Sequence, residues 1–264
     1  MLRIIINRGN ILGAFKNAMF KAYTPKIQEF ARQQPDVIRQ LESLFVGNVS
    51  MYIDYANVRS WVSRLQWHID LERLHQFLRS FDNITAVSFY NGTLSGDQQS
   101  EENIKKAEQL GYRVRTKPVK IMRISVNASS ISPQSPDLLK QFIHASLLRE
   151  LDIKTIEYLN TKLIELNKKG VLYLEERKCN FDVEIGRDMT IDHERKVANC
   201  FVLWSGDSDF HDPIKELLIN GKKVILFATS RRVASELNDL RSDGLFIFDI
   251  AKLKSFICWN REIK

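Results

Sequence analysis

From residue 49 onward, short apolar runs alternate with stretches whose apolar residues recur at helical spacing. That alternation admits few folds: it predicts a mainly parallel sheet with helices on both faces, a three-layer α/β sandwich. Strands are expected at 49–54, 84–90, 112–118, 200–204, 223–228 and 245–248. Helices are expected near 69–80, where Leu71, Leu74, Phe77 and Leu78 share a face, and near 98–110. Others should run from Asp182 to about Val197, over 212–220 and over 232–241. The punctuation agrees, with Asn91-Gly92 ending the second strand, Gly111 and Gly221 closing helices, and Pro213 in a first turn behind Asp212 as N-cap.

Two of these strands end in acid. Cys200-Phe-Val-Leu-Trp204 stops at Ser205-Gly206-Asp207-Ser208-Asp209-Phe210, and Val49-Ser-Met-Tyr-Ile53 stops at Asp54, with Asn57 three residues on. Ligands in open α/β sheets bind outside the carboxyl ends of the strands, where Asp54, Asp207 and Asp209 fall. Two aspartates so close together repel unless a cation lies between them, and hard cations favour carboxylate oxygens. Ser205 and Ser208 can hydrogen-bond those carboxylates or a phosphate. The plainer readings are an Asx turn for Asp54 and Asn57, an N-cap for Asp209 and a strand terminator for Asp207. A third acidic element opens the helix at Asp182, whose carboxylate is expected to point inward because it lies near Ile185 around the helix. Glu184 and Asp188 share another face at i, i+4 and are expected to be solvated.

A surplus of 39 Lys+Arg over 32 Asp+Glu, net +7 with a pI near 9.2, favours a polyanionic partner. With 44% hydrophobic residues the chain has the means for a full core, so wholesale disorder is not expected. The three cysteines are too scattered for a zinc signature and odd in number for a disulfide framework, which suggests a reducing, cytoplasmic setting. No run approaches the roughly 18 apolar residues of a membrane span. The first 26 residues carry basic side chains and no acid, in the manner of a transit peptide, but Asn7, Gly9 and Asn10 break a signal-peptide core. An extension over 1–48 that packs or touches RNA is the favoured reading.

Ile53-Asp54-x-x-Asn57, Phe181-Asp182-Val183 followed by Asp188, and Ser205-Gly-Asp-Ser-Asp-Phe210 occur in the order and spacing of NYN domains. The chain resembles the LabA-like kind, in the PIN-like nuclease superfamily, over about 49–250. The likeness continues through Gly221-Lys222-Lys223-Val224 and through Ser235-Glu236-Leu237 ahead of Asp243. It implies a PIN-like, Rossmann-like fold and an endoribonuclease that uses Mg²⁺ or Mn²⁺. Asp54, Asp182, Asp207 and Asp209 would be the metal-binding acids, assisted by Asn57, with Asp188, Ser205 and Ser208 around them. Two departures concern substrate choice: Lys178 is followed by Cys179-Asn180 where the family usually has Lys-Gly, and a helical insertion at about 119–175 enlarges the core.

Basic residues complete the expected site for single-stranded or structured RNA. Arg231 and Arg232 follow a strand on the active-site side, and Arg113, Arg115 and Lys117 alternate along one strand face, with Lys178 flanking the acids. The same alternation also suits a charged sheet edge that discourages aggregation. Tyr55 suits packing better than base stacking. The insertion fits a lid, an RNA-gripping arm or a homodimer surface, and residues 251–264 form a tail. The rival reading is a PIN-like module that binds RNA or a protein with little or no cutting.

Overall fold

The computed structural model describes residues 19–55, 58, 68–94, 96–229 and 233–259. In chain order the strands are β1 (Val49–Asp54), β2 (His68–Ile69), β3 (Ile84–Thr93), β4 (Arg113–Pro118), β5 (Lys120–Ser125) and β6 (Tyr173–Lys178). They continue with β7 (Cys200–Trp204), β8 (Lys223–Ala228), β9 (Phe246–Asp249) and β10 (Cys258–Trp259). The helices are α1 (Pro25–Gln33), α2 (Pro35–Leu44), α3 (Leu71–Leu78), α4 (Gln98–Gln109), α5 (Ala145–Leu148) and α6 (Ile153–Lys168). After these come α7 (Asp182–Glu194), α8 (His211–Ile219), α9 (Ser235–Asp239) and α10 (Lys254–Ile257).

Six strands form one sheet in the order β4-β3-β1-β7-β8-β9, and every pairing in it is parallel. Counted along the chain, the strands of this sheet lie in the order 3-2-1-4-5-6, so the winding direction reverses between β1 and β7. The α/β sandwich expected from the alternation is therefore present. One compact unit holds this sheet and comprises Met1–Pro118 with Asn180–Lys264.

The two faces of the sheet differ in chemistry. Val49, Met51 and Ile53 of β1 share one face with Phe89, Cys200, Val202, Trp204 and Phe227, and all are buried. Ile27 and Phe30 of α1, Ile38 and Leu41 of α2, Leu74 and Phe77 of α3, and Ile257 of α10 pack into the same core. The 1–48 segment thus contributes side chains to this core as far as it is described. Each such fully buried side chain stabilises by roughly 1.5–3 kcal/mol. Entry into β1 depends on Gly47, whose φ of 63° lies in the left-handed region. A Cβ there would come 2.8 Å from Asn199 Oδ1, on the residue whose N–H bonds Asn48 O at 2.9 Å beside β7.

On the opposite face the strands carry polar tips. Tyr52 and Asp54 of β1 lie level with Ser88 and Tyr90 of β3, and Tyr90 with Arg115 of β4. Helix α7 covers this face through Phe181, Ile185 and Met189, all buried, with the Phe181 ring 5.8 Å from that of Tyr90. Alongside it lies α8, whose buried residues are Ile214 and Leu217.

Several expected boundaries change. β3 runs through Asn91 and Gly92 instead of ending there, because both pair with β4, and Asn91 Nδ2 donates to Ser100 Oγ at 3.2 Å. Helix α8 begins at His211 with Phe210 at the N-cap, so Asp212 belongs to the first turn and is no cap. Asp207 is the capping aspartate, accepting from Asp209 N–H at 3.3 Å at the head of the 3₁₀ turn Ser208–Phe210. The helices expected over 182–197 and 232–241 end earlier or are shorter, at 182–194 and 235–239.

Val119–Cys179 forms a second compact unit. Its strands β5 and β6 pair antiparallel as a two-stranded ribbon, a pairing not foreseen in the sequence. The helical part of the expected insertion is a 3₁₀ turn at 139–141, the single turn of α5, and α6. Asp152 caps α6 by accepting from Thr155 N–H at 2.7 Å. Asn167 of α6 ties the ribbon by donating to Val126 O and Val171 O, at 2.9 and 2.8 Å. No helix among the described residues is long and apolar enough to cross a membrane.

Candidate metal centre

The reversal point of the sheet is where the acids converge. Trp204, the last residue of β7, lies level with Ile53, so Ser205 emerges beside Asp54 at the end of β1. Ser205 and Asp54 are both buried, and the Ser205 hydroxyl donates to Asp54 Oδ2 at 3.4 Å. The same Oγ accepts the Asp207 N–H at 3.4 Å, which turns the chain outward. Phe210, fully buried, anchors the far end of the turn and leaves Asp209 exposed. The third acid arrives on α7, where Asp182 is the first residue of the helix, held by the buried Phe181 and Ile185 on either side.

One carboxylate oxygen from each of Asp182, Asp207 and Asp209 lies within 4.8 Å of the other two. Burial, together with the negative charges of Asp207 and Asp209, holds the Asp182 carboxyl above the usual carboxylate range, with Lys117 working in the opposite direction. Three such oxygens with the wrong sign of mutual interaction suit a hard divalent cation with oxygen ligands. The helix N-terminus offers Asp182 a further favourable field. Asp54 stands outside this group of three and reaches it through Ser205.

Around the acids opens a cleft lined by Asp182, Val183, Gly186, Ser208, His211 and Pro213. Gly186 of α7 faces Pro213 of α8, and a Cβ there would lie in ordinary contact, 3.4 Å from Pro213 Cγ. His211 Nδ1 lies 2.8 Å from Asp212 Oδ1.

The remaining expected site residues are dispersed or already engaged. Asn57, Arg231 and Arg232 fall outside the described residues. Lys117 Nζ donates to both oxygens of Glu184, at 2.7 and 2.8 Å, and lies 4.7 Å over the Phe181 ring. Arg115 Nε is 3.4 Å from Asp188 Oδ2. Arg113 is exposed at the start of β4, and Lys178 ends β6 in the second unit. Tyr55 is buried with its ring 4.7 Å from Phe89, as packing requires.

Asp188 and Glu184 are not the solvated pair expected. The Asp188 side chain is 13% exposed and accepts from the buried Tyr90 hydroxyl at 3.0 Å. Helical spacing alone could not reveal this, because the partners come from β3 and β4. Tyr52 of β1 is a further such partner, donating to Asp192 at 2.7 Å.

The model of the NYN domain family matches residues 119–247. That span contains Asp182, Asp207 and Asp209 and leaves β1 with Asp54 outside it. Among solved structures, the chain is similar to a protein of unknown function from Vibrio parahaemolyticus at 15% identity and a TM-score of 0.47. That alignment covers 77% of this chain and 93% of the other. No curated protein matches. Residues 119–247 are thus identified as an NYN domain, a domain of the PIN-like nuclease superfamily.

Proposed function

We propose that the protein is a metal-dependent endoribonuclease of the LabA-like kind, hydrolysing RNA phosphodiester bonds at the carboxylate triad. The observation that carries this reading is the convergence of Asp182, Asp207 and Asp209 within 4.8 Å at the sheet's reversal point. These three would hold Mg²⁺ or Mn²⁺, with Asp54 behind them. When bound, such a cation supplies charge neutralisation at the phosphate and a water of lowered pKa.

The chain's own residues account for the rest. Ser205 orients Asp54 and Asp207 together, because its single hydroxyl donates to one and accepts from the backbone of the other. Asp182 and Asp209 line the open cleft, so a phosphodiester can approach from solvent. Lys117, beside Asp182, tempers the negative potential that would otherwise repel a polyanion. Val183, which is exposed, and Pro213 give the cleft apolar surface beside the acids, suited to a ribose or base edge.

A second reading is supported by the position of Asp54. With the fourth acid outside the triad, the domain could bind RNA with weak cleavage or none. Incubation of the purified protein with RNA and with DNA, with and without Mn²⁺, separates the two. Cleavage of RNA that requires Mn²⁺ and is lost by about 10²-fold or more in Asp207→Asn supports the nuclease. Undiminished cleavage by that variant would rule out the triad as the catalytic centre. RNA retention without cleavage would establish the binding module.

A further inference from the structure

Helix α7 meets the sheet through a line of acids. Glu184, Asp188 and Asp192 stand at i, i+4 and i+8, so they form one stripe along the helix. Glu184 accepts from Lys117 of β4, at 2.7 and 2.8 Å. Asp188 accepts from Tyr90 of β3 at 3.0 Å, with Arg115 of β4 at 3.4 Å from the same oxygen. Asp192 accepts from Tyr52 of β1 at 2.7 Å. Successive turns of the helix are thus tied to three neighbouring strands, and two of the ties come from tyrosines that are 0% exposed. Burial and then the facing carboxylate hold both hydroxyls well above their ordinary pKa, so each remains a donor.

We propose that Tyr52 and Tyr90 are positioning residues that set the axial register of α7 and thereby hold Asp182 in the carboxylate triad. The apolar contacts of the helix within its span, Ile185 and Met189, resist separation from the sheet but are not directional. Hydrogen bonds of this length weaken over a few tenths of an ångström, so they resist sliding. Sliding is what the triad cannot tolerate. One helical turn is about 5.4 Å along the axis, whereas the three carboxylate oxygens lie within 4.8 Å of one another. A shift of even one residue, about 1.5 Å, would displace Asp182 from Asp207 and Asp209 by about a third of that span.

The proposal rests on the reading that the triad binds a divalent cation, and the test keeps the two separable. Mn²⁺ alone is titrated calorimetrically into the full chain, into Tyr52→Phe, Tyr90→Phe and the double variant, with circular dichroism to confirm folding. Phenylalanine preserves ring packing and removes only the donor. The double variant should fold and bind Mn²⁺ about tenfold more weakly, the scale of a lost buried hydrogen bond. Ile27→Ala, in α1 on the opposite face of the sheet, should lower the melting temperature and leave Mn²⁺ affinity unchanged, which excludes a general stability effect. If the tyrosine variants fail to fold, Asp192→Ala removes the same bond from its half-exposed end and should weaken Mn²⁺ binding in the same direction. Wild-type affinity in the folded double variant, or in Asp192→Ala where that variant replaces it, overturns the register role and leaves the metal site standing. Failure of the wild-type chain to bind Mn²⁺ overturns both.

Discussion

Asp182 carries the largest conflict at the residue scale. It is partly buried at a helix start, facing two other carboxylates, and its pKa is raised first by that burial and then by Asp207 and Asp209. A carboxyl whose folded pKa exceeds its unfolded value contributes stability below the unfolded pKa, and that contribution is lost as pH rises through the folded pKa. At neutral pH the charged group therefore costs the metal-free protein stability. Asp182→Asn should stabilise the metal-free protein near pH 7, by no more than about 1 kcal/mol after solvent screening, and raise its melting temperature accordingly. The gain should disappear at pH values below the ordinary carboxylate range, where the wild-type group is already neutral. Thermal denaturation in chelator at both pH values measures this, and a variant less stable than wild type near pH 7 would refute it. Asp207 and Asp209 were legible because an apolar run ending in Ser-Gly-Asp-Ser-Asp has few purely structural explanations, and Asp182 because it lies near Ile185 around a helix start. The engagement of Asp188 and Asp192 was not, since their partners are tyrosines more than ninety residues away in the chain.

Elements were most legible where periodicity and burial agree. β1, β7 and β8 are buried along almost their whole length and were bounded correctly by their apolar runs. β3 outran its expected end because Asn-Gly, a turn signal in isolation, is overridden here by pairing with β4. The β5–β6 ribbon escaped notice because Lys120–Ser125 mixes charge with apolar residues and its partner strand lies some fifty residues on. Gly47 shows the reverse, a glycine whose necessity comes entirely from its fold position. Gly47→Ala would place a Cβ in the left-handed region and 2.8 Å from Asn199 Oδ1. The turn that aligns β1 with β7 would shift, at a cost of roughly 2–3 kcal/mol. Urea denaturation should show a lower midpoint with an unchanged slope, and stability equal to wild type would contradict the assigned turn.

For the whole molecule, the strand order explains why acids so distant in sequence meet. With β1 and β7 adjacent and the winding reversed between them, their carboxyl ends lie at the switch point where open α/β sheets bind ligands. Asp54, Ser205 and Asp207 follow these two strand ends, and α7 delivers Asp182 from the polar-tipped face. Every member of the triad belongs to the unit formed by Met1–Pro118 and Asn180–Lys264, and none to Val119–Cys179. A cation bound there should therefore stabilise one unit selectively. At about 100 times its dissociation constant, Mn²⁺ should add ~2.7 kcal/mol to that unit. For a unit of 150–250 residues this corresponds to a rise of about 5–10 °C in melting temperature. Hydrogen exchange with and without Mn²⁺ should show slowed exchange in β1, β7, α7 and α8, and unchanged exchange across β5, α6 and β6. Asp207→Asn should abolish the difference. Uniform slowing across both units, or slowing confined to Val119–Cys179, would place the cation elsewhere and remove the triad from the mechanism.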